Sequence, residues 1–371
     1  MGRPTLRRRG FFRRPDLDGA TSMVESPATS RETNPAEPGV APPPDTVALA
    51  APLDAARGDG PARAVAPAAA RAPYVVGDPG RAAGQVRPAP DLRFPERPDT
   101  TVDGYTVAGP DGRPSVELRA AGVRGLAHRY YGTVRQDSAA VRVSVDQRWL
   151  VAVVADGVSA GEHSHVAADT AATAAATELA GLLGGTAPEA IDWPALFLRL
   201  ADQVAHATRV HLAGHGIHTD GELTDLAAQA ATTVLIAVLA LASDPDGTRE
   251  LHLIGLGDTS AWTLDDSGWS CHYGAKTHQL YASSATAALP ILPPEPPRPA
   301  RTQLGRGQVL ALVTDGIGDP LGDGTGEVGA FLAARWQAPP TPLEFAAQVD
   351  FARRSYDDDR TAIVLWPEET P

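Results

Sequence analysis

The chain has 371 residues, is 43% hydrophobic and carries a net charge of −13. That is material for a sizeable core, so a fibrous or wholly unfolded chain is excluded. The acidic balance argues against nucleic acid as a partner. A single cysteine, Cys271, excludes a disulfide framework and a cysteine-ligated cluster, and no apolar run reaches the ~20 residues of a membrane span.

Proline marks a boundary. Of 34 prolines, 19 lie in residues 1–114, whereas all six tryptophans and all ten histidines follow. Residues 1–112 are rich in Pro, Ala and Arg without an apolar period, so they read as a disordered arm, and 115–367 as one folded domain. The start, Arg8-Arg9-Gly10-Phe11-Phe12, has the look of a twin-arginine export signal. Arg13-Arg14-Pro15-Asp16 follows it in place of an apolar stretch, so the expected location is the cytoplasm.

In chain order, Val141, Val143 and Val145 alternate with polar residues as in a half-buried strand, and 149–155 is a continuous apolar strand. An alanine-rich helix is expected over 164–183, stopped by Gly184-Gly185. The next helix starts at Asp192-Trp193-Pro194, an N-cap with proline in the first turn. Buried strands are expected near 232–241, 251–256 and 308–313, with a shorter one near 260–264. Thr341-Pro342-Leu343-Glu344 is a capping box, and 361–366 reads as the final strand. Strand pairs, then helices, then more strands indicate an α+β fold with mainly antiparallel sheets.

Several of these strands meet an aspartate at one end: Asp137, Asp156-Gly157, Gly257-Asp258, Asp315-Gly316 and Asp357-Asp358-Asp359. One such residue is usually a turn former. Five gathered at one edge of a sheet sandwich would repel one another, and hard divalent cations with oxygen ligands are the usual resolution.

The ordered set Arg135-Gln136-Asp137, VVADGVSAG, ATTV, LGDTSAW, LVTDGIGD and DDDRTAIVL resembles the PPM family, the metal-dependent Ser/Thr protein phosphatases of the 2C class, in its actinobacterial-type members. The resemblance spans about 115–367. It implies two mainly antiparallel sheets sandwiched between pairs of helices, with two Mn²⁺ or Mg²⁺ ions. By the same resemblance Asp156 bridges the ions, the Gly157 carbonyl binds one, and Asp315 and Asp358 hold the second. Asp357 and Asp359 stand as alternatives to Asp358. Asp137 binds metal-coordinated water, Asp258 lies behind the pair or on a third ion, and Arg129, ahead of Arg135 in preference, binds phosphate. The implied reaction is hydrolysis of phosphoserine or phosphothreonine on proteins by a hydroxide bridging the ions, without a phosphoenzyme and opposing a Ser/Thr kinase.

The pattern departs at four places. Gln136 stands where the family often has glutamate, and Val158 where many members have histidine. Lys276-Thr277-His278 replaces an Asp-His element, which counts against a third ion, and Asp359 replaces asparagine. Gln136 and the missing aspartate of the Asp-His element motivate an alternative, a weak or inactive relative that binds phosphoproteins as an adaptor. With Val158 in place, the leaving group's proton is expected from metal-activated water, with His163 or His165 as the alternative donor. His211, His215 and His218 have a metal-like spacing, but Gly214 and Gly216 break the helix there and no glutamate accompanies them, so they read as packed or loop histidines. Thr232-Thr233 reads equally as a strand start or a catalytic element.

Overall fold

The computed structural model describes residues 74–78, 97–219, 221–274 and 287–368. Two antiparallel sheets face each other. The first has six strands in the order β1 (Thr100–Ala108), β2 (Pro114–Val123), β11 (Arg360–Pro367), β10 (Val309–Val313), β7 (Ser260–Asp265) and β8 (Gly268–Tyr273). The second has five: β3 (Ser138–Val143), β4 (Trp149–Ala155), β5 (Val234–Ala240), β6 (Arg249–Leu256) and β9 (Ala300–Leu304). Their inner faces form one core around Leu118, Leu150, Leu235, Leu310 and Leu365.

Helices cover both outer faces, giving four layers. On the second sheet lie α2 (Ser164–Leu182) and α3 (Trp193–Gly214), where small residues such as Ala168, Ala172 and Ala176 allow close approach. On the first lie α5 (Asp315–Leu321), α6 (Glu327–Trp336) and α7 (Pro342–Val349), packed through Ile317, Leu332, Trp336 and Phe345. Two short helices, α1 (Leu126–Tyr131) and α4 (Leu223–Gln229), and a 3₁₀ turn at Pro188–Ala190 complete the described elements. The central strands β4 and β10 are buried on both faces, which is why they appear in the sequence as unbroken apolar runs.

The Asp192 cap forms as expected, accepting from Ala195 N at 3.1 Å. At α7 Thr341 accepts from Glu344 N, but Glu344 turns to the Tyr74 hydroxyl at 2.8 Å, so only half the capping box is made. Among the described residues no helix is long and apolar enough to cross a membrane.

The boundary expected at 112 lies too late. Thr100–Ala108 pairs along its length with β2, and Val76 is buried, its N–H bonded to Ala352 O at 3.0 Å. β1 escapes a periodicity search because it is an edge strand, exposed at most positions and held by its ladder rather than by an apolar face. The remainder of the expected arm, 1–73 and 79–96, lies outside the described residues.

Candidate metal centre

The register of the strands gathers the acidic residues at one end of the sandwich. In the second sheet Ser138 lies opposite Ala155, so Asp137 and Asp156 leave neighbouring strand ends together. In the first sheet Val313 lies opposite both Ser260 and Ala362, which brings Asp315, Asp258 and Asp358 to that same end. Asp258 sits in the short crossover between the sheets. Its neighbour Gly257 has φ +103° and rests against the Thr233 side chain, a position that admits only glycine.

Oxygens of Asp156, Asp258 and Asp315 all lie within 4.8 Å of one another. Asp358 stands beside this trio, its charge acting on Asp156 and Asp315. Burial, then the charges of Asp137, Asp315 and Asp358, drive the Asp156 carboxyl well above the ordinary carboxylate range. Burial and Asp358 lift Asp315 to about 6, and burial and Asp359 raise Asp358. Asp137, wholly buried and close to Asp359, is pushed up to about 8. A set of oxygen donors that repel one another this strongly fits hard divalent cations, whose charge would offset the repulsion. Gln136 adds a buried Oε1 that has no hydrogen-bond partner, while its Nε2 donates to Gly161 O at 2.8 Å.

The supports of the cluster are built from backbone and hydroxyl groups. Thr232 Oγ1 donates to Asp156 O at 2.8 Å, and Thr233 Oγ1 accepts from Asp156 N at 3.3 Å. The two threonines that sequence reading left undecided thus clamp the Asp156 backbone. Gly157 is pressed against Gln136, where a Cβ would collide with its carbonyl. At the closing motif the three aspartates separate by role. Asp359 is buried and accepts from Gly125 N at 2.6 Å and Gln136 N at 2.5 Å, with His128 Nδ1 at 2.9 Å. Its own N–H donates to Asp358 Oδ1 at 2.8 Å, which restrains that carboxylate, while Asp357 is exposed. Burial opposes charge on His128, but Asp359, then Asp358 and Asp137, outweigh it and lift the imidazole to about 9.

Both candidate phosphate arginines have partners of their own. The guanidinium of Arg129, expected to bind phosphate, pairs with Asp350 at 3.0 and 3.4 Å, at the end of α7. Arg135 is buried behind Asp137, donating to its backbone carbonyl at 2.8 Å, and burial lowers it to about 10. His163 and His165 are buried and gather with His211 and His215. The Lys276-Thr277-His278 element lies outside the described residues.

The family model described as Protein phosphatase 2C matches residues 124–343, more than half of the chain. The chain belongs to the protein phosphatase 2C family. No curated protein sequence matches it. Similar solved structures include the S. agalactiae serine/threonine phosphatase, 14% identical over 68% of this chain and 100% of that one, with a TM-score of 0.46. The catalytic domain of the serine/threonine phosphatase PstP, in complex with two manganese ions, is 18% identical over 69% and 99%, with a TM-score of 0.44. The Mycobacterium tuberculosis phosphatase PstP/Ppp is 19% identical over 69% and 100%, with a TM-score of 0.41. Membership rests on the family match, which ends before Asp358.

Proposed function

We propose that the protein hydrolyses phosphoserine and phosphothreonine on protein substrates, using two Mn²⁺ or Mg²⁺ ions and no covalent phosphoenzyme. The observation that carries this reading is the convergence of Asp156, Asp258 and Asp315 within 4.8 Å, with Asp358 alongside. Asp156, Asp315, Asp358 and the Gly157 carbonyl would hold the ions, and Asp258 is close enough to share in that coordination. When bound, such a pair acidifies water for attack on phosphorus and neutralises charge on the transferring group.

The chain's own residues position and hold. Thr232 and Thr233 keep the Asp156 backbone in place, and Asp359 orients Asp358 through its N–H. Asp137 Oδ2 is engaged by Thr314, which leaves Oδ1 to bind water that the ions would hold. The lone thiol takes no part, since Cys271 lies in β8 with Sγ on the Tyr273 carbonyl. The physiological counterpart on this reading is a cytoplasmic Ser/Thr kinase.

Phosphate binding without turnover is the rival reading. It draws on Gln136, which lacks a glutamate's charge, and on Lys276-Thr277-His278 in place of an Asp-His element. One assay separates the two: phosphate release from a phosphothreonine peptide with Mn²⁺, with Mg²⁺ and with chelator, for the wild type and Asp156→Asn. The expected result is cation-dependent release that chelator and Asp156→Asn both abolish, with an unchanged circular dichroism spectrum. Turnover in chelator, or near-wild-type turnover by Asp156→Asn, would overturn the proposal. Peptide binding without release would establish the rival.

A further inference from the structure

We propose that His163, His165, His211 and His215 form a second, imidazole-based site for a borderline transition-metal ion such as Zn²⁺, separate from the carboxylate cluster. The four come from the start of α2 and the end of α3. His163 is the N-cap of α2 and His165 its second residue; His211 lies in the last turn of α3 and His215 is its C-cap. The two helices pack antiparallel, with Arg199 early in α3 meeting Glu178 late in α2 at 2.5 Å, so the opposite ends bring the imidazoles together.

His211 is the centre of the group. Its ring centroid lies 4.3 Å from that of His215, 4.9 Å from His163 and 5.5 Å from His165. Four imidazoles around one tetrahedral ion, at metal–nitrogen distances of ~2.0–2.1 Å, place their centroids roughly 5 Å apart. His163 Nδ1 and His211 Nε2 are 3.1 Å apart, close to the ~3.3 Å separating two nitrogens on such an ion. His215 Nδ1 is 2.9 Å from the His211 carbonyl oxygen. A carbonyl oxygen only accepts, so Nδ1 carries a proton, and Nε2 is the nitrogen that would meet a metal, as in metal-binding histidines.

The surroundings suit a cation. His211 and His215 lie at the carboxyl end of α3, the negative end of its dipole. His163 and His165 are only 8% and 5% exposed, so they meet the other two rings with little water between to screen added positive charge. His165 and His215 stand 6.3 and 6.0 Å from His163, so binding draws these two rings inward by side-chain rotation. Imidazole ligands favour Zn²⁺ over Mg²⁺ or Mn²⁺, which prefer oxygen, so the two centres would sort their metals. An ion here would fasten the turn that runs from Asp156 into α2 to the end of α3.

The test uses the full chain in excess Mg²⁺, which occupies the oxygen site, with zinc as the probe. One Zn²⁺ per chain should bind, with a rise in melting temperature, and Asp156→Asn should bind it equally well. His163→Gln and His211→Gln should each weaken binding by at least ~10-fold, the floor set by loss of even an outer partner of a metal ligand. Co²⁺ in place of Zn²⁺ should give the intense visible bands of a tetrahedral nitrogen set. Zinc binding untouched by His163→Gln would reduce the site to a surface chelate of His211 and His215 and overturn the proposal. Absence of the tetrahedral cobalt spectrum in the unsubstituted chain would overturn it without reference to any variant.

Discussion

Thr314 Oγ1 donates to Asp137 Oδ2 at 2.7 Å and accepts from Thr361 N at 3.0 Å. One buried hydroxyl therefore ties the end of β10 and the start of β11 to the residue that opens β3, joining the two sheets where the acidic residues meet. Thr314→Val keeps the shape and removes both bonds. It should cost about 1–3 kcal/mol of stability, because a buried acceptor and a buried N–H lose their partner. The same bond lowers the Asp137 pKa against burial and its acidic neighbours, so the variant should shift any pH–rate profile controlled by Asp137 to higher pH. Denaturant melts and pH–rate curves for Thr314→Val and Thr314→Ser check this, with serine expected to restore both.

Much of this was legible in the sequence because the informative strands are buried on both faces. β4, β5 and β10 are apolar runs ended by an aspartate or threonine, so both the strands and their acidic tips stand out. Three features were not legible. β1 is held by backbone pairing and exposes most of its side chains, which leaves no apolar period. The approach of Asp258 to Asp156 depends on the crossover from β6 to β7, which local pattern does not encode. The partner of Arg129 lies 221 residues away on another element, so arginine spacing relative to Asp137 could not reveal it.

Asp359 is the residue on which the closing motif depends. Both its oxygens are occupied, by Gly125 N, Gln136 N and His128, and a Cβ on Gly316 would overlap its carbonyl. Asp359→Asn turns one acceptor into a donor facing another donor. It should destabilise the protein by about 3–5 kcal/mol, as expected for breaking a buried ion pair. It should also weaken Mn²⁺ binding ~10–100-fold, through the loss of order at Asp358. Calorimetric titration beside a denaturant melt separates the effects. Unchanged Mn²⁺ affinity in a folded variant would show that Asp359 does not orient a ligand.

The acidic cluster also sets a pH dependence. Asp137 and Asp315, raised from 3.8 to about 8 and about 6, keep protons in the fold that they lose when unfolded. Stability of the metal-free protein must therefore fall as pH rises through those windows. His128, lifted from 6.5 to about 9, acts in the same direction, its contribution complete below 6.5 and lost as pH passes through about 9. Melting temperatures in chelator should decline from about pH 5 to about pH 9. Mn²⁺ should stabilise more strongly as pH rises, since it replaces the protons. A chelator curve that is flat or rising between about pH 6 and pH 8 would contradict the burial of these groups.

Arg129 offers the sharpest contrast between family resemblance and observed geometry. If it serves as the structure has it, Arg129→Ala leaves Asp350 half-buried without its main partner, in a place where burial already raises its pKa. Asp350 is 27% exposed, so the cost should be about 1–3 kcal/mol, below that of a fully buried pair. Arg360, whose charge also acts on Asp350, limits the loss further. Removing both partners in Arg129→Ala/Asp350→Ala should recover part of that stability, since no unpaired carboxylate remains. KM for a phosphothreonine peptide should then change by less than about threefold, with the guanidinium held on Asp350. A phosphate-binding arginine predicts the reverse pattern: KM rising ~10-fold or more on loss of a bidentate contact, with little change in stability and no rescue by the second substitution. Steady-state kinetics and denaturant melts on the two single variants and the double variant decide between them.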